Sequence, residues 1–159
     1  MSVPRTELER RMRAFTETCR REGLKVTHQR REVFRELAGS EAHPDAETVF
    51  RQVRRRVPSI SRDTVYRTLS GLADRGLLRR AESAGGPARY DANTRPHHHF
   101  VCTACGAIRD FESPALDRLR IPQSVKAFGR VDAAQVHVRG VCSSCMRRKD
   151  PGRRPPRPS

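Results

Sequence analysis

Tryptophan is absent, and aromatic residues of all kinds make up only 5% of the 159 positions. Hydrophobic residues together reach 35%. That is too little apolar material for one large core, and small cores of this kind ordinarily lean on a metal, a disulfide or a partner subunit. The length suits one medium domain or two small ones. No apolar run approaches the roughly 18 residues of a membrane span, so no membrane partner is expected. The opening run, MSVPRTELERRMR, is charged throughout and lacks the apolar centre of a signal peptide. A cytoplasmic protein is expected, in a compartment where thiols stay reduced. Acidic residues are also scarce: 18 stand against 33 basic ones, a net charge of +15, with Arg far outnumbering Lys. This excess points to a polyanionic partner, nucleic acid before an anionic membrane. A merely solvated basic surface would have the same composition.

What is present first is helical periodicity. Leu8, Met12, Phe15 and Cys19 recur at spacings of four, three and four, one face of a first helix. Cys19 therefore reads as a small apolar core residue rather than a reactive thiol. Thr27 is placed to cap a second helix carrying Val33, Phe34 and Leu37 and ending near Gly39. Asp45, after Pro44, is placed to cap a third with Val49, Phe50, Val53 and Val57 inward, closed by Pro58. Ser61 then heads a fourth, with Val65, Leu69 and Leu72 buried and Gly76 as its stop. This leaves Arg62, Thr64, Tyr66 and Arg67 near the helix start, facing largely away from the core. Basic and hydroxyl residues at a helix N-terminal end are what major-groove reading requires. Two short strands about the GlyGly at 85–86, ending in Arg89-Tyr90, suit the wing of a winged-helix domain, although any three-helix bundle has a similar pattern.

From about residue 92 the pattern changes to strand-like runs, HHFVC, AIRDF and AQVHVRGVC, with an interrupted helical segment around 115–128 that contains Pro122. The end, MRRKDPGRRPPRPS, is Pro/Arg-rich and reads as disordered. Charge is unevenly shared. Residues 1–80 carry 19 basic and 11 acidic side chains, 147–159 carry 6 and 1, and 81–146 only 8 and 6.

Cys102-x-x-Cys105 and Cys142-x-x-Cys145 are two thiol pairs, each closing a strand-like run. Four thiolates around one tetrahedral ion leave no open position, which suits structural Zn²⁺ and not catalysis. Two redox-active Cys-x-x-Cys motifs are the alternative. A zinc hydrolase or deaminase would need His-x-Glu ahead of Pro-Cys-x-x-Cys, and neither is here, so no enzyme is expected.

The histidines at 97–99 precede the first thiol pair. On a strand, His97 and His99 share one face and His98 takes the other. His97 and His99, with Asp91 and Asp110 on flanking strands, offer nitrogen and oxygen ligands suited to Fe²⁺ or Mn²⁺. A surface histidine tract would have the same spacing, and both readings stand. His43, in Ala42-His43-Pro44, is a fifth candidate in the helical half. If it joined, a metal would tie the two halves together.

These residues fall into motifs that together resemble the ferric-uptake-regulator family. They are Val26-Thr27-x-Gln29-Arg30, Ala42-His43-Pro44, Ser61-x-x-Thr64-Val65-Tyr66-Arg67-x-Leu69, Gly76-Leu77-Leu78 and Arg89-Tyr90-Asp91, followed by His97-x-His99-x-x-Cys102-x-x-Cys105-Gly106 and Gly140-x-Cys142-x-x-Cys145. The likeness covers roughly residues 20–146. It implies an α+β chain: a winged-helix DNA-binding domain over 1–90, a small α/β metal-binding dimerisation domain over 91–146 with the four-cysteine zinc site, then a disordered basic tail over 147–159. It implies a metal-dependent repressor, homodimeric on a palindromic double-stranded operator. Carried over by position, the regulatory ligands are His43, Asp91, His97, His99 and Asp110.

Within the family, Asp at both 91 and 110 resembles the peroxide-responsive branch, since iron sensors usually have Glu there. That branch implies oxidation of His43 or His97 by hydrogen peroxide at bound Fe²⁺, with Mn²⁺ repressing but unreactive. The alternative is an iron-responsive repressor of metal-homeostasis genes. A further family metal site would need ligands at Pro96, His98, Asp117 and Ala134; proline and alanine cannot ligate, so His98 is expected to serve neither ion. Gln135-Val136-His137 replaces a more hydrophobic family strand, and His137 is an additional histidine.

Overall fold

The computed structural model describes residues 3–81, 86–131 and 133–149. The chain divides into two compact units between Arg95 and Pro96.

The first unit is four helices and a hairpin: α1 (Arg5–Arg21), α2 (His28–Ala38), α3 (Ala46–Arg54), α4 (Arg62–Ala73), β1 (Arg79–Ala81) and β2 (Arg89–Asp91). Three helix starts are fixed by side chains. Thr27 accepts from the N–H of Arg30, Asp45 from that of Thr48, and Ser61 from that of Thr64. Each cap satisfies a backbone donor the helix leaves unpaired. The inward faces meet in one core, with Phe15 and Phe34 stacked at 4.4 Å between ring centroids and Val33, Val49, Val53, Val65 and Leu69 wholly buried around them. Cys19 is buried in this core, and desolvation raises its thiol pKa, which keeps it neutral. After α4 the chain turns at Gly76, and β1 pairs antiparallel with β2, Arg79 opposite Asp91 and Ala81 opposite Arg89. Helices followed by a two-stranded hairpin make this unit a winged helix. The turn of the wing, over 82–85, lies outside the described residues. Leu69→Ala is expected to lower stability by about 2–5 kcal/mol through the cavity it leaves. Ser61→Ala should cost only about 1 kcal/mol. Urea denaturation of both variants checks the order.

The second unit is a three-stranded sheet in the order β4-β3-β5, with β3 (His98–Cys102), β4 (Ile108–Phe111) and β5 (His137–Gly140). β3 runs antiparallel to β4, with His99 opposite Asp110. It runs parallel to β5, with His99 opposite His137 and Cys102 opposite Gly140. A parallel pair needs a long crossover, and the interrupted helical segment supplies it as α5 (Pro114–Asp117) and α6 (Gln123–Lys126), with Pro122 starting the second piece. Gly140 lies close under the Phe100 ring: a Cβ there would sit 3.1 Å from it, and the ring would have to give by a few tenths of an ångström. A last helix, α7 (Ser143–Lys149), follows Cys142. It takes in Arg147, Arg148 and Lys149, which composition assigned to a disordered tail; they continue a helix that starts beside the second thiol pair. Residues 150–159 lie outside the described residues.

The second unit buries little. Its buried apolar residues are Ile108, Cys102 and Cys145, while Phe128 is 89% exposed and Leu119, Val125, Val138, Val141 and Met146 are also exposed. Among the described residues no helix is long and apolar enough to cross a membrane.

Candidate metal centres and nucleic-acid interface

The sheet register of the second unit brings the two thiol pairs together. Cys102 ends β3 opposite Gly140, and the chain after it folds into a tight turn in which Gly106 donates to the Cys102 carbonyl at 2.9 Å. Gly106 has φ +69°, a conformation that favours glycine, and it allows Cys105 to fold back toward Cys102. The four sulfurs lie within 4.8 Å of one another, and Cys105 and Cys142 are 3.8 Å apart. Tetrahedral geometry with metal–sulfur bonds near 2.3 Å demands a separation of about 3.8 Å. The donor set therefore fits a tetrahedral ion and is far too open for disulfides.

The protonation pattern agrees. The backbone N–H of Cys142, then that of Cys105, pulls the Cys102 thiol down to about 6, the former at 3.2 Å from its sulfur. The N–H of Cys145 likewise lowers Cys142. Cys145 is pushed up to about 12 by the neighbouring sulfurs of Cys105 and then Cys142. Ionising all four thiols together would need a cation, and a divalent ion would supply it.

The histidines of the second unit divide as strand alternation requires. His97 and His99 bring their Nε2 atoms to 2.9 Å, with Asp110 Oδ1 at 3.7 and 3.4 Å from them. Neighbouring donors on a divalent ion with bonds near 2.1 Å sit about 3.0 Å apart at right angles and about 3.4 Å apart in a tetrahedron. The His97–His99 and His99–Asp110 separations match that spacing, and His97–Asp110 at 3.7 Å is slightly wider. His98, on the other face, is buried. Its Nδ1 accepts from the Val136 N–H at 3.3 Å, so the proton is on Nε2, which lies 3.2 Å from Asp117 Oδ1. His98 thus fastens β3 to the segment leading into β5, with Asp117 of α5 beside it.

Two further side chains brace this face, and neither was assigned a role from sequence. The Gln135 amide donates to the His97 carbonyl at 3.1 Å, and its oxygen is 3.4 Å from His137 Nε2. The His137 ring stands edge-on to His99 at 5.2 Å. The signal that finds them is the parallel register of β3 and β5, which spacing along the chain does not contain.

In the first unit, Asp91 lies on a strand, as expected. It ends the wing strand β2, which is held by β1. β2 is stitched to the loop before α3: the Tyr90 N–H donates to the Pro44 carbonyl at 3.1 Å and the Arg89 guanidinium to the His43 carbonyl at 3.3 Å. This sets His43 Nε2 3.5 Å from Asp91 Oδ2, both residues buried. The other carboxylate oxygen of Asp91 accepts from the Asn93 N–H at 2.7 Å, which fixes its orientation. Among the described residues His43 alone, apart from glycines, has a positive φ, 47°. A left-handed histidine held between a proline and a paired strand is a strained position of the sort that functional sites keep.

On α4, Tyr66 is 48% exposed and Arg67 projects into solvent beside Asp63 at 3.1 Å. Arg62 is held differently: it forks onto Glu47 at 3.0 and 3.1 Å and lies over the Phe50 ring. The Thr64 hydroxyl meets the capping Ser61 hydroxyl at 2.9 Å. Exposed ion pairs such as Arg62–Glu47 exchange readily for a phosphate, because each contributes little.

A winged helix joined to a small α/β unit with a four-thiol cluster defines a class of metal-responsive regulators. The model of the ferric uptake regulator family matches residues 21–137. The chain belongs to that family, whose members are transcription regulators that bind DNA. It is 31% identical over 147 residues to the peroxide-responsive repressor PerR of Staphylococcus aureus, covering 92% of this chain and 99% of that one. The Helicobacter pylori ferric uptake regulator, described as having three functional metal-binding sites, superposes with a TM-score of 0.69 at 26% identity, over 87% of this chain and 93% of that one. The Campylobacter jejuni peroxide stress regulator does so at 0.66 and 28%, over 82% and 98%.

Proposed function

We propose that this chain is a metal-dependent transcriptional repressor that senses hydrogen peroxide through oxidation of a histidine ligand. The observation that carries the branch is aspartate, not glutamate, at both 91 and 110, in a chain 31% identical to a peroxide-responsive repressor. Structural Zn²⁺ is held by Cys102, Cys105, Cys142 and Cys145. The regulatory ion, Fe²⁺ or Mn²⁺, takes His43 and Asp91 from the first unit and His97, His99 and Asp110 from the second. The oriented His43–Asp91 pair and the spacing of the other three support this. An ion shared by both units couples its own occupancy to their arrangement, and hence to DNA binding. An iron-responsive repressor is the second reading, favoured by the likeness to the Helicobacter pylori protein.

The operator is a palindrome read by a homodimer, one α4 per half-site. The apolar side chains exposed on the second unit, Phe128 foremost, support a subunit interface. Tyr66 and Arg67 are the reading residues, with Arg62 and Thr64 beside them. Mn²⁺-loaded protein is expected to select inverted repeats from a random duplex pool. Tyr66→Phe and Arg67→Ala should each weaken binding to the selected duplex by roughly tenfold, the scale of a lost base contact, with zinc content unchanged. Binding undiminished in both variants would remove α4 from the reading role.

A further inference from the structure

The positive charge of the first unit extends well beyond α4. A groove of about 760 Å³ runs between α1 and α2. Leu8 and Met12 line it together with Arg13 and Arg20 from α1 and Arg31 and Arg35 from α2. Arg13, Thr16 and Arg20 recur at three and four residues, so one face of α1 lines it. The pairing of these arginines differs from that of their neighbours. Arg10 and Arg11, on other faces of α1, both bond Glu7, at 2.7 and 2.8 Å. Arg56 is shared by Glu32 and Glu36. In the groove, Arg5 is taken by Glu9 at 2.9 Å, and Arg35 is 3.8 Å from Glu32. Arg13, Arg20 and Arg31 form no ion pair among the described residues, and Glu17 is the acid left to offset them.

A second, separate cleft touches the reading helix. Arg30, beside Arg31 on α2, lines a smaller cleft of about 240 Å³ with Thr27, Thr64, Arg67 and Thr68. Arg30 and Arg67 line this cleft, Arg30 donating to the Lys25 carbonyl and Arg67 paired with Asp63. Arg13, Arg20, Arg31 and Arg35 line the groove, and the neighbouring residues Arg30 and Arg31 link the two along α2. A single acidic side chain would occupy one point on such a strip. A nucleic-acid backbone offers a row of charges. Arg13 and Arg20 are about 10 Å apart along α1, which spans about three phosphates of one strand at 3.4 Å each.

We propose that the α1–α2 groove is a second phosphate-binding surface, which holds duplex DNA flanking the stretch that α4 reads. This rests on the DNA-binding reading above and extends it from the site to its flanks. The surface adds affinity without adding sequence preference, because phosphate contacts orient and do not specify.

The test uses the full chain loaded with Mn²⁺ and two duplexes, the selected site alone and the same site with about one helical turn added at each end. Affinity is measured by anisotropy at about 50 and 200 mM salt. On the longer duplex, R13Q/R20Q/R31Q should have a salt slope shallower by about 2–3. The wild type then loses on the order of 40-fold more affinity than the variant across that salt range. On the shorter duplex the two proteins should match. R13K/R20K/R31K, which keeps the charge, should retain the wild-type slope. R118Q/R120Q/R139Q, which removes as much charge from the second unit, should change the slope on the longer duplex by less than about 1. Equal slopes for wild type and R13Q/R20Q/R31Q on the longer duplex, or an equal fall in the second-unit control, overturns the proposal while leaving the DNA reading intact. Wild-type protein that binds neither duplex takes down both.

Discussion

Cys142→Ser is expected to leave the second unit unfolded while the first unit stays folded. Structural zinc bound by thiolates contributes on the order of 10 kcal/mol, comparable to the whole stability of an ordinary domain. The second unit has nothing of that size to replace it. Among the described residues its buried apolar side chains are few, two of them are themselves cluster cysteines, and Phe128, Leu119, Val125 and Met146 are exposed. Removing one sulfur also leaves the three others crowded without a full share of the cation, and Cys142 backs Cys102 through its N–H as well as its thiol. The first unit has its own core and three capped helices, none of which draws on the cluster. Calorimetry of the wild type should therefore show a second-unit transition that is missing in the variant, with about one zinc per chain lost. The wild type treated with a strong chelator should behave the same way. Cys19→Ala is the matched control: it removes a thiol from the first core and should leave zinc content unchanged. A variant that keeps stoichiometric zinc and both transitions would show that the quartet is not the staple of this unit.

How much of this was legible along the chain depends on the range of the interaction. The caps Thr27, Asp45 and Ser61 act over three residues, and the α4 face repeats within one helix, so local chemistry is enough to place them. The alternation of His97, His98 and His99 is equally local. What could not be read is set by long-range pairing. Asp91 meets His43 only through its wing hairpin and the Tyr90–Pro44 bond, 46 residues apart in sequence. Gln135 and His137 reach β3 only through a parallel register across two helices. The His98–Asp117 pair and the arginine strip arise in the same way, from neighbours that no spacing rule connects. The candidate metal ligands nevertheless stand out along the chain because their motifs are themselves short.

Protein loaded with Fe²⁺ and given one equivalent of H₂O₂ is expected to gain one oxygen on His43 or His97 and to release its operator. Fe²⁺ held by these residues would supply the one-electron chemistry that cleaves peroxide and Mn²⁺ would not, so the Mn²⁺ form should remain bound and unmodified. The net change is one oxygen inserted at an imidazole carbon, with H₂O₂ reduced to water. An oxidised ring is a poorer nitrogen donor, so its loss from the ligand set is a loss of metal. Two features of the chain direct the damage. His43 is pinned in a left-handed backbone conformation with Asp91 at 3.5 Å, and His97 is wholly buried with its carbonyl held by Gln135. Burial of both rings would hold them close to an oxidant formed at the ion. Aspartate is shorter than glutamate by one methylene, which leaves more room for peroxide at the ion. Asp91→Glu with Asp110→Glu should therefore keep metal-dependent DNA binding and lose at least about tenfold in the rate of histidine oxidation, a barrier increase near 1.4 kcal/mol. Peptide mass spectrometry after the peroxide pulse measures that rate and locates the oxygen. An unmodified map with the operator still bound would set the peroxide reading aside and leave an iron-responsive repressor, since the same five ligands would then report metal supply and nothing else.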